Sequence, residues 1–175
     1  MALDPFVVGV ARLRTQLGAT NECHVEGEFD PAGELAATSP GESEVPSGAT
    51  ARFEGLLESI LKGIVASGTV ESSWVGVCRR CAVATGGQLS AAVRERYVEG
   101  AGADDEAYPL DGDLLDLGPM IRDAVVLELP LAPLCREDCQ GLCAQCGADL
   151  NLGQCSCEGP IDPRWATLDL LRKPE

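Results

Sequence analysis

The chain has 175 residues, a hydrophobic content of 45%, an aromatic content of 4% and a formal net charge of −15 at pH 7. This length suits one domain, whose core must be built mainly from aliphatic side chains. With 13 basic residues against 28 acidic ones, a general nucleic-acid binder is disfavoured, because such a protein needs a basic face to neutralise phosphates. The charge favours basic proteins as partners instead.

The sequence predicts neither a membrane span nor a signal peptide. The most apolar stretch, DAVVLELPL, is interrupted by Glu128 and Pro130. The opening, MALDPFVVGVARLR, has no basic region before its apolar part, so we expect a cytoplasmic protein with no membrane partner. Because cytosolic thiols stay reduced, the nine cysteines predict metal binding or redox chemistry rather than disulfides.

The first 110 residues predict a β-rich body. NECHVEGEF places Cys23, Val25 and Gly27 on one side of a strand and polar residues on the other. Three more runs have strand character: ARFEGLLESI, GIVASGTVESSWVGVC and GQLSAAVRERYVE. For FEGLLESILKGIV an amphipathic helix fits as well as a strand. Residues 31–50 are rich in Pro, Gly, Ser and Glu and predict a loop with a short strand at its end.

An acidic, glycine-rich loop over residues 100–112 precedes a helix predicted over residues 113–130. Pro119 suits the first turn of this helix, and Pro130 ends it. Its predicted apolar stripe consists of Met120, Ile121, Ala124, Val125 and Leu127. Residues 161–175 predict a short C-terminal helical segment, with Trp165, Leu168 and Leu171 at helical spacing.

Together these elements predict an α+β fold. The β-rich body over residues 1–110, a small antiparallel sheet or a barrel-like structure, is followed by one long helix and by a cysteine-rich, metal-binding tail over residues 135–157. We expect residues 1–160 to form a single domain.

Eight cysteines are the candidate metal ligands: Cys78, Cys81, Cys135, Cys139, Cys143, Cys146, Cys155 and Cys157. Cys78 and Cys81 form one CxxC pair, and Cys143 and Cys146, followed by Gly147, form another. Two such pairs on separate segments are what a tetrahedral Cys₄ zinc site requires, so they predict a site that ties the tail to the β-body. A metal that closes so long a loop stabilises the fold strongly.

The four remaining tail cysteines would complete a second Cys₄ site, giving one or two Zn²⁺ ions per chain. A different grouping, such as Cys139 with Cys143, Cys146 and Cys155, fits the spacing equally well. Free or partially oxidised thiols on a loose loop are a further alternative for this second group. Two filled sites would take the formal charge to about −19, because each adds four thiolates and one divalent ion.

An iron–sulfur site is the competing interpretation. Cys139, Cys143 and Cys146 have the C-x3-C-x2-C spacing by which radical S-adenosylmethionine enzymes hold a [4Fe–4S] cluster. Those enzymes need a large barrel after the motif, and only 29 residues follow Cys146. Gln145 stands where an aromatic residue is usual, and the ordinary ferredoxin spacing is absent.

No catalytic constellation is predicted. His24 is the single histidine and is expected to face solvent from a strand, and its neighbour Cys23 is expected to be buried and inert. The stretch GAGADD lacks the strand-to-helix context of a phosphate-binding loop. We therefore expect neither an enzyme nor a small-molecule substrate.

Three stretches in order resemble the YceD-like family of bacterial and plastid proteins: GTVESSWVGVCRRC, LDGDLLDLGPMIRDAVVLELPLAPLCREDCQGLCAQCGADLN and DPRWATLDLL. The resemblance covers about residues 50–175 and is most specific over 111–151. Of the first fifty residues only the opening MALDP resembles the family's actinobacterial members.

The resemblance implies a non-enzymatic cytoplasmic factor that supports the accumulation and processing of large-subunit (23S) ribosomal RNA and large-subunit biogenesis. It also implies that Cys78, Cys81, Cys139, Cys143 and Cys146 lie on the family's metal-binding pattern. Related tails tend to carry histidines where this chain has Cys155 and Cys157.

The expected partner is a ribosomal protein or a large-subunit assembly intermediate, with an indirect contact to rRNA. The alternatives are an RNA-processing cofactor that binds rRNA directly and a metal or redox (iron–sulfur) protein. Direct RNA binding would use a basic face formed by Arg12, Arg14, Arg79, Arg80, Arg94 and Arg96.

Overall fold

The computed structural model describes residues 4–28, 43–102 and 106–157, which form an α+β fold dominated by β-structure. The strands are β1 (Val7–Gly9), β2 (Thr20–Glu28), β3 (Ser43–Glu44), β4 (Thr50–Ile60), β5 (Gly63–Val77), β6 (Ala84–Val98), β7 (Tyr108–Pro109) and β8 (Leu114–Asp116), and the helices are α1 (Ala11–Arg14) and α2 (Gly118–Glu128). The helical segment predicted over 161–175 lies outside the described residues, as does most of the loop predicted over 31–50.

The main sheet has the strand order β2-β4-β5-β6-β7. The first four strands are antiparallel, whereas β7 pairs in parallel with β6 at Tyr97 and Val98. β3 pairs with β5 at Val75 and Gly76, beyond the end of the pairing with β4. The segment that fitted either helix or strand forms β4 and β5, joined by a turn at Leu61 and Lys62. Within the described residues the sheet stays open, so the prediction of a small sheet holds and that of a barrel-like body does not.

Alternation along the strands gives the sheet one buried and one exposed face, as period-2 patterning requires. Cys23 and Val25 of β2 are buried, whereas Glu22, His24 and Glu26 are exposed. The buried face also carries Ala51, Phe53, Leu57, Ile64, Ala66, Val70, Leu89, Ala91 and Tyr97. This confirms the predicted face of β2, and the exposed face leaves most of the strand glutamates in water.

A second layer covers the buried face. β1 and β8 form a two-stranded antiparallel sheet, and α2 follows β8 directly. Leu115 and Leu117 are fully buried in the same core as Met120, Ile121 and Val125. The tail cysteines come after this layer, so α2 sets where the tail begins.

The helix prediction over residues 113–130 was too long and included one wrong core residue. Leu114–Asp116 is a strand because β1 offers it an antiparallel partner, a long-range contact that local periodicity does not contain. The Asp116 carboxylate accepts a hydrogen bond from the Gly118 N–H at 2.9 Å, where α2 begins. Leu127 is 84% exposed instead of buried. No helix in the described ranges has the length and apolar content of a membrane span.

Candidate metal centres

The structure gathers the eight candidate cysteines into two groups of four. The inner quartet is Cys78, Cys81, Cys135 and Cys139, and the outer quartet is Cys143, Cys146, Cys155 and Cys157. Within each quartet all sulfur atoms lie within 4.8 Å of one another. None of the nine cysteines, all of which are described, is in a disulfide.

The predicted grouping of the two CxxC pairs into one site was wrong. Cys78 and Cys81 meet the first two tail cysteines, and Cys143 and Cys146 meet the last two. The alternative that joined Cys139 to the outer cysteines does not occur either. The reason is that residues 142–149 close on themselves through an antiparallel bridge between Leu142 and Asp149, which holds the second pair apart from the first.

Both CxxC pairs form the same hydrogen-bonded turn. In the first, Cys78 N–H donates to the Val83 carbonyl and Ala82 N–H donates to the Cys78 carbonyl, each at 2.8 Å. In the second, Cys143 N–H donates to the Ala148 carbonyl at 2.8 Å and Gly147 N–H to the Cys143 carbonyl at 2.9 Å. The residue after the second cysteine is left-handed in both turns, with φ of 57° at Ala82 and 71° at Gly147. This shared turn aims both thiols of a pair at one point.

The inner quartet is largely buried. Cys78, Cys81 and Cys139 are at most 6% exposed and pack with Leu134 in a small apolar cluster of their own. The Sγ atoms of Cys78 and Cys139 are 3.8 Å apart, and those of Cys81 and Cys135 are 3.7 Å apart. A tetrahedral ion with metal–sulfur bonds of about 2.3 Å would separate its sulfur ligands by about 3.8 Å. The inner quartet therefore fits a single tetrahedral metal ion.

Backbone contacts hold the tail against the first turn. Arg79 N–H donates to the Pro133 carbonyl at 2.9 Å, and Leu142 N–H donates to the Arg80 carbonyl at 3.1 Å. The Arg80 guanidinium donates to the Cys139 carbonyl at 2.8 Å. Gly141 lies against Arg80 so closely that an added Cβ would be 2.9 Å from the Arg80 carbonyl oxygen. The inner quartet thus closes a junction that hydrogen bonds already shape.

Asn151 contacts the inner quartet from the far side of the second CxxC pair. Its side-chain oxygen accepts a hydrogen bond from Gln140 N–H at 2.8 Å, and its side-chain N–H donates to the Cys139 Sγ at 3.6 Å. The same nitrogen donates to the Asp149 carboxylate at 2.6 Å. Sequence reasoning missed Arg80, Gly141 and Asn151 as site residues. A glycine two residues before a CxxC pair was the available signal for Gly141, but nothing local marked the other two.

The outer quartet is more open. Cys143, Cys155 and Cys157 are half-buried and Cys146 is exposed. All four come from residues 143–157, so this group needs no distant segment. Gln145 N–H points at the Cys143 Sγ at 3.4 Å, as backbone donors do around metal-bound thiolates.

Backbone hydrogen bonds favour one thiolate in each quartet. The backbone N–H of Cys135 is the main cause that lowers the pKa of Cys78 from 9.0 to about 6. The backbone N–H groups of Cys146 and Gln145 lower the pKa of Cys143 to about 6. Burial raises the pKa of the Cys135 thiol to about 12. In each quartet these hydrogen bonds therefore favour the thiolate form of one cysteine, which is the form that binds a cation.

The other two residues considered for chemistry lie outside the quartets. Cys23 is 8% exposed on the inward face of β2, and burial raises its pKa. His24 is exposed on the outward face, with its Nδ1 atom 3.9 Å from a Glu54 carboxylate oxygen. Both positions agree with the sequence predictions of a buried cysteine and a solvent-facing histidine.

The fold and the two quartets define a cysteine-rich α+β protein with places for two metal ions. Residues 66–172 match the profile of the family described as "Large ribosomal RNA subunit accumulation protein YceD". The chain belongs to this YceD family, which confirms the resemblance seen in the sequence.

The relatives fall into bacterial and plant groups. An uncharacterized protein of Mycobacterium tuberculosis is 36% identical over 181 residues, which cover 98% of this chain and 84% of the relative. The protein YlbN of Bacillus subtilis is 23% identical over 151 residues, covering 83% and 88%. An Arabidopsis thaliana protein named "Large ribosomal RNA subunit accumulation protein YCED homolog 1, chloroplastic" is 38% identical over 50 residues, covering 29% and 16%. No solved structure matches the chain.

Proposed function

We propose that this protein is a zinc-stabilised, non-enzymatic cytoplasmic factor that supports the accumulation and processing of 23S ribosomal RNA during large-subunit biogenesis. It acts by holding a basic ribosomal protein or an assembly intermediate, and contacts rRNA indirectly. The observation that carries the proposal is membership of the YceD family together with an acidic chain whose candidate reactive thiols are gathered in two quartets.

Zinc is the metal that the donor set favours. Four thiolates around one point are the ligands of structural zinc sites, and Zn²⁺ needs no redox partner. In a multi-iron cluster the four cysteines are divided among two or more irons, and the inorganic core holds the sulfur atoms on different irons farther apart than ligands of a single ion. Sulfur atoms within 4.8 Å of one another leave room for one ion only. The geometry thus supports zinc over an iron–sulfur cluster.

A structural role for the metal fits the way the ligands are used. All four positions of each quartet are protein thiols, which is the closed arrangement of structural zinc sites, whereas catalytic zinc keeps a position for water. The remaining cysteine, Cys23, is buried, and the single histidine faces solvent. These features support a binding role without catalysis.

The distribution of charge supports a protein partner over direct RNA binding. Of the arginines that could form a basic face, Arg14 forms ion pairs with Glu99 and Asp113, and Arg80 donates to tail carbonyls. Arg94 and Arg96 are exposed on β6, and their face of the sheet also carries Glu54, Glu58 and Glu71. The phosphates of an RNA bound to this face would lie near these carboxylates, which repel them, as well as near the arginines.

Elemental analysis of the purified protein tests the metal part. We expect about two zinc per chain from the four-ligand count. Iron with a brown colour would support the redox alternative, and the absence of any metal from freshly purified protein would refute the zinc assignment.

Pull-down with the full-length chain at physiological salt tests the partner part. We expect a basic large-subunit protein to be retained after ribonuclease treatment. Retention of deproteinised 23S rRNA with no ribosomal protein would refute the proposal and favour the direct RNA-binding cofactor.

A further inference from the structure

β6 has an open edge next to an apolar groove. Its fifteen residues pair with β5 along their whole length, but on the other side the described residues pair with it only at Tyr97 and Val98, through β7. An edge of this kind presents backbone N–H and C=O groups that a further strand can pair with. The open part runs from Thr85 to Arg96.

α2 packs beside this edge and leaves a cavity of about 140 Å³ between helix and strand. Ala91, Val93, Met120, Ala124 and Leu127 supply its apolar lining. Val93 is half-buried, and Leu127 stands at the mouth with 84% of its surface exposed. An incoming strand on β6 would bury both side chains.

Tyr108 gives the groove a rigid end. Its hydroxyl donates to the Asp123 carboxylate at 2.6 Å, and its ring stacks on Tyr97 at a centroid distance of 5.3 Å. This hydrogen bond places the Asp123 carboxylate beside the ring, and Glu95 lines the groove together with Tyr108. With Glu128 in the lining, three acidic residues surround the groove.

The opposite face of β6 has a different charge. Arg94 and Arg96 point away from the groove because they alternate with Val93, Glu95 and Tyr97 along the strand. A strand added to β6 would therefore meet carboxylates and apolar surface on one side and arginines on the other. This pattern selects the side chains that a partner must present.

We propose that the β6 edge and the α2 groove bind an extended segment of a basic protein. Its groove-facing side chains are aliphatic residues with flanking Lys or Arg, and its alternate side chains are neutral or acidic polar residues. The inference rests on the proposed function, since it names the surface by which the basic partner is held.

Fluorescence anisotropy with a labelled short peptide tests the binding surface. Every second residue of the probe is threonine, and the residues between them are lysine, valine, valine and lysine in that order. One face of the extended peptide is therefore apolar and basic. We expect it to bind the full-length, metal-loaded chain, and to lose binding when the lysines are replaced by glutamate. Proline is substituted in turn at the central threonine and at the valine next to it, because adjacent N–H groups of a strand point to opposite sides. Both changes keep the charge, and the one that removes a backbone donor to β6 is expected to weaken binding. Binding of both proline peptides equal to that of the parent peptide would refute strand addition.

Matched protein variants separate the groove from general charge and hydrophobicity. Leu127→Ser and Glu128→Lys are each expected to weaken binding on the order of 5-fold or more, because they remove buried apolar area and a complementary charge. Leu17→Ser and Glu22→Lys change an exposed leucine and an exposed glutamate outside the groove and should stay within about 2-fold. Equal losses in both pairs would refute the groove.

Hydrogen exchange locates the contact, with slower exchange expected for amides within residues 85–96 when the peptide is bound.

The same variants separate this proposal from the proposed function. If Leu127→Ser and Glu128→Lys still retain the basic ribosomal protein in pull-down, the groove proposal fails and the proposed function stands. If the wild-type chain retains rRNA alone, the proposed function fails, whatever the peptide shows.

Discussion

At the scale of single residues, Ala82 and Gly147 occupy the same place in two equivalent turns. Both follow the second cysteine of a CxxC pair and both have a positive φ. A left-handed backbone is unfavourable for alanine by roughly 1–2 kcal/mol, because its Cβ crowds the following carbonyl, whereas glycine has no Cβ. The inner turn therefore contains strain that the outer turn avoids.

Substitutions at these two positions should have opposite effects. We expect Ala82→Gly to raise the free energy of unfolding by about 1 kcal/mol and Gly147→Ala to lower it by a similar amount. Denaturant unfolding of the metal-loaded protein measures both. Lys62→Gly is the control, since Lys62 has φ of 66° in the β4–β5 turn and should gain stability without any change in metal retention. A loss of stability in Ala82→Gly would contradict the assignment of strain.

At the scale of elements, α2 packs against the core with one face only and leads into the tail at its C-terminal end. Ile121 is fully buried, whereas Leu127, six residues later, is 84% exposed. Both belong to the stripe that helical periodicity predicted to be buried. The difference arises because Leu127 lies in the last turn of α2 at the mouth of the groove beside β6, where no described residue covers it.

Alanine substitutions in α2 test this division. Ile121→Ala should lower the free energy of unfolding by about 2–5 kcal/mol, because it leaves a cavity in a packed core. Leu127→Ala should change it by less than about 0.5 kcal/mol, since the side chain is exposed. Chemical denaturation of both variants at one pH makes the comparison. A large loss in Leu127→Ala would show that another part of the chain covers this residue.

At the scale of the whole molecule, the two quartets close loops of very different length. The inner quartet joins the end of β5 to the tail, so its ligands are separated by more than fifty positions in the chain, and three of the four are buried. The outer quartet lies within residues 143–157 and contains the exposed Cys146. The inner metal should therefore leave only when the sheet and tail separate, whereas the outer one is open to solvent.

A chelator should remove the two metals in separate phases, the outer one first. Cys146→Ser should eliminate the fast phase, and Cys139→Ser the slow one, in a release assay with a chromogenic zinc indicator. We expect loss of the inner metal to lower the unfolding temperature more, because that metal closes the longer loop. A single phase that both variants abolish together would mean that the quartets bind metal as one unit.

Acidification should release the metal, since protons compete for the thiolates. The lowered pKa of Cys78 and Cys143 means that these groups contribute stability above pH 9.0 that is lost progressively as the pH falls through about 6. Metal should stay bound near neutral pH and leave as the pH falls below about 6, where protons also occupy Cys78 and Cys143. Metal content after dialysis over this range measures the effect, and full retention at about pH 4 would contradict it.

The sequence by itself determined β2, β6 and most of β5, the buried cysteine, the solvent-facing histidine, the family and the set of eight cysteines brought together. These features follow from local rules: alternation marks a strand with one buried face, and CxxC spacing marks a turn that brings two thiols to one point. The start of α2 at Gly118 was not predictable in this way, because β8 exists only through its pairing with β1.

Only the tertiary structure decided which cysteines share a quartet. Both CxxC pairs form the same turn, so their spacing cannot tell which partners they meet. The choice depends on long-range contacts, from Arg79 to Pro133 and from Leu142 to Arg80, that place Cys135 and Cys139 beside the first turn. The groove beside β6 also depends on long-range contacts. It forms where α2 packs beside the edge of β6, and no described strand pairs with that edge before Tyr97.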